Sequence, residues 1–276
     1  MGKLKTLIAE NVKPLSVKLE QLVESAELAQ SLQKEIFEAG PPIQLFKDEL
    51  SRKQQRLRPS IGRISLVSFH PKSPQMGPNN YHSRISNAAS LRRAVKTEVL
   101  EPGRKVPEKR LQSWLIREAW ANGQIMKSLN DVLGGEYWFV SDELAIKINE
   151  SNKVVADLLL VKVDNGLAKL VNVELKSERA RKEVFNQVID FRDVIEHETL
   201  FRFWRQFAET MTCHAFRWDE SPQTHGIVVW PKSENPKAAQ NSEHAALVEY
   251  LPDGENRGDG EYPSNYTLNL PAIATM

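Results

Sequence analysis

The chain has 276 residues, of which 41% are hydrophobic and 26% are charged, and its formal net charge is +1. This composition is typical of a soluble globular protein with one large or two modest domains, and no apolar run reaches membrane-spanning length. A single cysteine, Cys213, excludes an intrachain disulfide, and the 6 histidines lack zinc-type spacing. We therefore predict a cytoplasmic protein without a membrane partner, and we expect Cys213 to be a packing residue of a helix.

The N-terminal segment is predicted to form an amphipathic helix over residues 15–39, because apolar residues recur there at helical spacing. Gly40-Pro41-Pro42 ends this helix, and a shorter helix is predicted over residues 43–57. The apolar stripe suits a homodimer seam or packing on the core, and about three heptads do not distinguish the two.

A basic segment is hidden by the near-neutral net charge. Residues 51–110 contain 14 Lys and Arg and three Asp and Glu, an excess of +11, so the remaining residues sum to −10. Such an excess is typical of phosphate contacts, and Arg92, Arg93 and Lys105 are candidate nucleic-acid-binding residues. The alternative is a flexible basic segment that contacts acidic surfaces of this protein or of a partner.

The next segment predicts a helix that begins at Pro107, PEKRLQSWLIREAWA, and ends at an Asn-Gly pair. Glu108 and Glu118 lie on its apolar stripe at helical spacing. Residues 136–148 then predict a strand or a strand pair that leads into the following segment.

The stretch VVADLLLVKVDNGLAKLVNVELK predicts a β-hairpin. Asn165 and Gly166 suit the two central positions of a type I′ turn, which both need positive φ. Residues whose numbers sum to 331 then face each other, which places Asp157 opposite Glu174 with Cβ atoms roughly 5 Å apart. Lys176, two residues beyond Glu174, points the same way. A bulge of one residue would move Asp157 off this face.

Facing carboxylates destabilise a hairpin unless they share a proton, pair with a cation or bind a metal. Mg²⁺ prefers oxygen ligands and takes one or two carboxylates together with waters and a substrate phosphate. A neighbouring lysine can position a water and stabilise developing charge, as phosphodiester hydrolysis requires. The alternative is a structural hairpin with Glu174 and Lys176 at its solvated edge and Asp157 paired with an arginine.

A helix is predicted after the hairpin, with Ser177 as its N-cap and Gln187 on the edge of its apolar face. Arg179, Arg181 and Lys182 lie at its start and are candidates for phosphate contacts, or are solvated charges. A second helix is predicted over residues 199–216.

The sequence THGIVVW then predicts a strand that Pro231 ends, and AALVEYL and NYTLNL predict two more strands. From Pro107 the order is helix, strand, strand, strand, helix, helix, strand, which favours a mixed α/β (α+β) sheet over a doubly wound fold. We divide the chain into an N-terminal accessory region (1–100), a core (101–235) and C-terminal strands packed on that core (236–276).

The hairpin residues resemble the core of the PD-(D/E)XK nuclease superfamily, whose restriction-endonuclease-like fold has an αβββαβ order. Asp157 corresponds to the first acid, and Glu174-Leu175-Lys176 corresponds to the D/E-x-K element. Ala156 stands where a proline often precedes the acid. The resemblance covers about residues 107–230, less than half of the chain, and identifies no subfamily.

This resemblance implies that Asp157 and Glu174 hold Mg²⁺, or Mn²⁺, and that Lys176 assists the attacking water. It also implies an inward glutamate on the preceding helix, for which Glu108 is the first candidate and Glu118 the second. The alternative for each glutamate is a solvated surface position.

A branch of the superfamily carries Gln-x-x-x-Tyr on the following helix, and here Gln187 is followed by Phe191. Gln187 would then support the site without the help of a tyrosine hydroxyl, or it is a helix-surface amide. We predict a magnesium-dependent nuclease of the defence, restriction or repair type, with DNA as the favoured partner. The alternatives are an inactive nuclease-fold protein that binds nucleic acid, and a protein-interaction module that docks through residues 15–39.

Overall fold

The computed structural model describes residues 2–36, 44–47, 57–61, 64–65, 69–70, 73–76, 107–177, 181–220, 224–232, 245–252 and 266–271. Within these ranges the protein is a mixed α/β structure built around a six-stranded mixed sheet. No helix in this part of the chain combines the length and apolarity needed to cross a bilayer.

The helices in the described ranges are α1 (Gly2–Glu10), α2 (Val12–Ile36), α3 (Pro107–Ala121), α4 (Lys127–Leu133), α5 (Arg181–Ile195) and α6 (Glu198–Thr212). The main sheet consists of β6 (Glu136–Lys147), β7 (Lys153–Asp164), β8 (Leu167–Leu175), β9 (His225–Pro231), β10 (Ala245–Pro252) and β11 (Tyr266–Asn269). The described residues between α2 and α3 include five short strands that form a second sheet, β1 (Gln44–Lys47), β2 (Leu57–Ile61), β3 (Ile64–Ser65), β4 (Phe69–His70) and β5 (Ser73–Met76).

The main sheet has the strand order β11-β10-β9-β8-β7-β6. β6, β7 and β8 form an antiparallel meander, β8, β9 and β10 run parallel, and β11 is antiparallel to β10. Parallel neighbours need a long crossover connection, and α5 and α6 supply it between β8 and β9. The predicted order of elements from Pro107 is confirmed, with the short helix α4 as an addition.

The predicted hairpin has the predicted register. Asn165 and Gly166 have φ values of 50° and 76°, so both central turn residues are left-handed. The strands pair from Asp164↔Leu167 to Leu158↔Val173, and each of these pairs sums to 331. This part of the hairpin therefore contains no bulge, and Asp157 and Glu174 are next in register.

The N-terminal helix packs on the core over its first half. Its residues Leu15, Leu19, Leu22, Val23 and Ala26 are buried in one apolar cluster with α6 and the meander. A homodimer through this helix stays a prediction, and any seam would use residues other than these five.

The helix predicted over residues 43–57 is wrong where the structure describes that segment, because residues 44–47 form β1. Gln44 pairs with Ser60 and Lys47 with Leu57 in an antiparallel ladder. A nonlocal strand partner overrides a weak local helical pattern of this length.

The prediction that Cys213 packs inside a helix is also wrong, because α6 ends at Thr212. Cys213 is the left-handed cap residue at φ 51° and its side chain is exposed.

Candidate active site

The candidate site lies where the ladder between β7 and β8 ends. The last paired residues are Leu158 and Val173, whereas β7 stays paired with β6 as far as Lys153. On the other side β8 continues along β9, and the Lys176 N–H donates to the Val229 carbonyl at 2.9 Å. The two hairpin strands therefore separate at Asp157, which lies at the fork between them.

Hydrogen bonds to its side chain and to its backbone help to hold Asp157 at this fork. The N–H of Leu175 donates to Asp157 Oδ2 at 2.8 Å, so the side chain takes the place of a backbone acceptor where the ladder stops. The Gln112 side-chain amide on α3 donates to the Asp157 carbonyl oxygen at 2.9 Å. Asp157 is 6% exposed, so both bonds are made in a largely desolvated environment.

Glu174 and Lys176 lie two residues apart and form a direct ion pair. Lys176 Nζ donates to Glu174 Oε1 at 2.5 Å. Glu174 is 5% exposed, whereas the Lys176 side chain keeps about one-fifth of its surface accessible. The ammonium group can therefore reach a solvent or substrate oxygen while remaining bonded to the buried carboxylate.

Burial is the largest cause that raises the pKa of Glu174, from its ordinary value of 4.5 to about 7. The charge of Asp157 raises it further, and the hydrogen bond and charge of Lys176 oppose these two effects. At neutral pH the neighbouring carboxylates therefore favour a proton or an additional cation between them.

Glu108 belongs to the same electrostatic group. It lies half-buried in the first turn of α3, and its negative charge contributes to the raised pKa of Glu174. The pKa of Tyr250 is raised to about 12 by burial, then by Tyr266, and also by Glu108. Glu108 therefore lies close enough to Glu174 on β8 and to Tyr250 on β10 to influence their ionisation, and its role as the inward helix glutamate stays a prediction.

The second-choice glutamate, Glu118, has a structural role. The backbone N–H of Ser128 donates to Glu118 Oε1 at 2.8 Å, and the Ser128 hydroxyl donates to Oε2 at 2.7 Å. Burial raises the pKa of Glu118, and the bonds from Ser128 oppose that rise. Glu118 thus satisfies the N-terminal groups of α4, which no side chain of the helix's own N-cap residue does.

The other predicted site residues lie on α5 or outside the described residues. Gln187 is exposed on α5, next to buried Val188, and its supporting role stays a prediction. Arg181 and Lys182 begin α5, but their side chains fall outside the described part of the structure. The predictions for Arg92, Arg93, Lys105 and Arg179 lie wholly outside the described residues.

The donor set of the site suits Mg²⁺ or Mn²⁺ held jointly by protein and substrate. Across the described ranges there is no group of three or more His, Cys, Asp or Glu side chains arranged to hold a metal ion by themselves. Mg²⁺ does not require such a cage, because it is commonly bound through one or two carboxylates, waters and phosphate oxygens. Asp157 and Glu174 provide two hard oxygen donors whose mutual repulsion a cation would relieve.

Sequence reasoning missed Gln112, whose side chain is fully buried. A signal for it existed, because Gln112 lies one helical turn after Glu108 and therefore on the same side of α3. A glutamine on an apolar stripe has no partner that can be read from local sequence, so only the tertiary structure identifies the Asp157 carbonyl as its acceptor.

Comparisons with protein-family models, with curated proteins and with solved structures find no match.

Proposed function

We propose that this protein is a magnesium-dependent nuclease that hydrolyses phosphodiester bonds, with DNA as the favoured substrate and a restriction-endonuclease-like core. The observation that carries the proposal is the convergence of Asp157, Glu174 and Lys176 at the fork between β7 and β8. Burying two neighbouring carboxylates is unfavourable for stability, but the two groups are suited to holding a cation. The accessible ammonium group of Lys176 beside them is suited to contacting a phosphate.

The arrangement of elements supports the proposed core. α3, the antiparallel meander β6-β7-β8, the crossover helices and the parallel strand β9 follow the αβββαβ order with one extra helix in the crossover and the short α4 after α3. In this frame β8 is internal, between β7 and β9, and the segment with Glu174 and Lys176 stays bonded to β9 beyond the end of the β7–β8 ladder.

Each side chain has a role that its position allows. Asp157 and Glu174 would hold the divalent cation, which supplies positive charge for the scissile phosphate and lowers the pKa of a bound water. Lys176, bonded to Glu174 and partly accessible, would hold the attacking water or a non-bridging phosphate oxygen and stabilise developing negative charge. Glu108 would add a third carboxylate on the side of α3 and orient a second water or cation.

Nucleic acid as the substrate is supported by the distribution of charge along the chain. The basic segment over residues 51–110 runs directly into the first turn of α3, where Glu108 lies. Lysines and arginines that neutralise phosphates make binding steeply salt-dependent, with a slope of about −0.9 per phosphate contact on duplex DNA. Arg92→Ala with Arg93→Ala should lower this slope, whereas Arg202→Ala, on the exposed side of α6, should not.

The decisive experiment measures cleavage of single-stranded, duplex and branched DNA and of RNA, with and without Mg²⁺. Lys176→Met should reduce the cleavage rate by at least about 100-fold, because it removes a charged donor aimed at the reacting phosphate. Lys169→Met is the matched control, because Lys169 lies on the same strand and pairs with Asp219 on the surface, so its loss should leave cleavage unchanged.

Cleavage by an Asp157→Asn, Lys176→Met double variant at the wild-type rate would refute the assignment of the site. Binding without cleavage in both Mg²⁺ and Mn²⁺ would indicate an inactive nuclease-fold binding protein. Failure to bind either nucleic acid at any salt concentration would indicate a protein-interaction module.

A further inference from the structure

We propose that Gln112 is a positioning residue for the metal site: its amide fixes the backbone of Asp157 at the fork and so sets the separation of the two carboxylates. This inference rests on the proposed function and extends it to a residue outside the predicted catalytic set. Gln112 touches neither substrate nor metal in this scheme and acts on the site through its bond to Asp157.

The geometry places Gln112 at the point where β7 loses its pairing with β8 and stays paired with β6 alone. Past Leu158 the β7–β8 ladder has ended, so the backbone of Asp157 is no longer tied to β8 by strand pairing. Gln112 Nε2 replaces that restraint by donating to the Asp157 carbonyl at 2.9 Å from a rigid helix. Together with the bond from Leu175 N–H to Oδ2, it fixes both the main chain and the side chain of one residue.

The burial of Gln112 argues for a positional role over simple packing. Its side chain is 0% exposed and lies on a helix whose neighbouring inward residues are Leu111 and Leu115. A buried amide is unfavourable unless it is hydrogen-bonded, and an apolar side chain of similar volume would pack at this position without that requirement. The amide is directed at the main chain of the residue that supplies the first carboxylate.

α3 also connects this restraint to the rest of the site. Glu108, one turn before Gln112, contributes to the raised pKa of Glu174, so one helix acts on both hairpin carboxylates. A small displacement of Asp157 changes the distance between its carboxylate and that of Glu174, and therefore the fit of a cation between them. Loss of a group that orients a metal ligand typically lowers metal affinity or activity by about 10-fold to 100-fold.

The test compares Gln112→Met with a matched buried glutamine. Gln124 is also buried, and its Nε2 donates to the carbonyls of Phe139 and Met211 at 3.2 and 3.1 Å, with no contact to Asp157 or Glu174 among the bonds described. Both Met variants remove a buried amide donor from a main-chain carbonyl, so both should lower the melting temperature. Only Gln112→Met should weaken Mn²⁺ binding, by about tenfold, as measured from the electron paramagnetic resonance signal of free Mn²⁺. Only this variant should also raise the Mg²⁺ concentration required for half-maximal cleavage.

Several results would overturn the inference. Equal Mn²⁺ affinity in Gln112→Met and wild type would show that Gln112 has only a structural role. If Gln124→Met weakens Mn²⁺ binding as much as Gln112→Met does, the weakening would be a general effect of lower stability. A wild type that binds Mn²⁺ but cleaves no nucleic acid would refute the nuclease proposal alone, since the Gln112 comparison is read from metal binding. A wild type that binds no Mn²⁺, with or without a DNA oligonucleotide that supplies phosphate oxygens, would refute both. If Gln112→Met does not fold, Gln112→Asn, whose amide is one methylene too short to reach the carbonyl, is compared with Gln124→Asn.

Discussion

Replacing Glu174 with glutamine should stabilise the metal-free protein at neutral and alkaline pH. Glutamine has nearly the shape of the protonated acid and cannot become an anion beside Asp157. The folded state raises the pKa of Glu174 from 4.5 to about 7, so the unfolded chain loses this proton first as the pH rises. The free energy of unfolding of the wild type therefore decreases as the pH rises from 4.5 to about 7, and the variant lacks this decrease.

The magnitude follows from the two pKa values. Below pH 4.5 both states are protonated and the residue contributes nothing, whereas well above pH 7 both are ionised and the full penalty applies. One pKa unit corresponds to about 1.4 kcal/mol, so the penalty is about 1 kcal/mol at pH 5 and about 3 kcal/mol at pH 8. The stability advantage of Glu174→Gln should thus grow by about 2 kcal/mol over this interval.

Urea denaturation in EDTA at pH 5 and pH 8 measures this difference, with Glu10→Gln as the control because Glu10 is exposed on α1. The free energies of unfolding of wild type and Glu10→Gln should change in parallel with pH. Saturating Mg²⁺ at pH 8 should stabilise the wild type and leave Glu174→Gln unchanged, because the cation offsets the repulsion between the carboxylates only when both are charged. A Glu174→Gln advantage that is the same at both pH values would refute the proposed burial and repulsion of this acid.

Three further substitutions test separate parts of the structure. Asp157→Ala should be about 1–3 kcal/mol less stable to urea than Asp157→Asn, because only Asn keeps an acceptor for the buried N–H of Leu175; equal stability would contradict that contact. Glu118→Ala should lower the free energy of unfolding by about 1–2 kcal/mol through loss of the α4 cap, with cleavage by the folded protein unchanged; a specific loss of cleavage would return Glu118 to the site. Gly166→Ala should lower the free energy of unfolding by about 1 kcal/mol and the melting temperature by a few degrees, because a side chain at φ 76° strains the backbone although nothing lies within 4 Å of the added Cβ. An unchanged melting temperature would argue against the left-handed turn.

The hairpin could be predicted from sequence because its determinants are local. Asn165 and Gly166 fix the turn, the turn fixes the register, and the register places Asp157 next to Glu174. The helices α3, α5 and α6 can also be predicted from sequence, since their apolar residues recur with helical spacing over 15 residues each.

The remaining features depend on contacts between distant segments. Sequence spacing placed Glu108 and Glu118 on one stripe of α3, and only the position of Ser128 assigns Glu118 to the α4 cap. The strand at residues 44–47 depends on its pairing with β2, and the short helices α1 and α4 have too few residues for a periodic signal. The role of Gln112 depends on the end of the β7–β8 ladder, which no local pattern encodes.

The bond between the Lys176 N–H and the Val229 carbonyl has a consequence for the order in which this protein is made and folded. A hairpin closes quickly and locally, whereas parallel pairing with β9 needs the chain about 50 residues further on, after both crossover helices. A nascent chain that stops short of His225 contains both hairpin acids and the lysine, yet lacks the strand that anchors the lysine backbone. The backbone of the proposed catalytic lysine is therefore anchored only after β9 has been synthesised and has paired with β8.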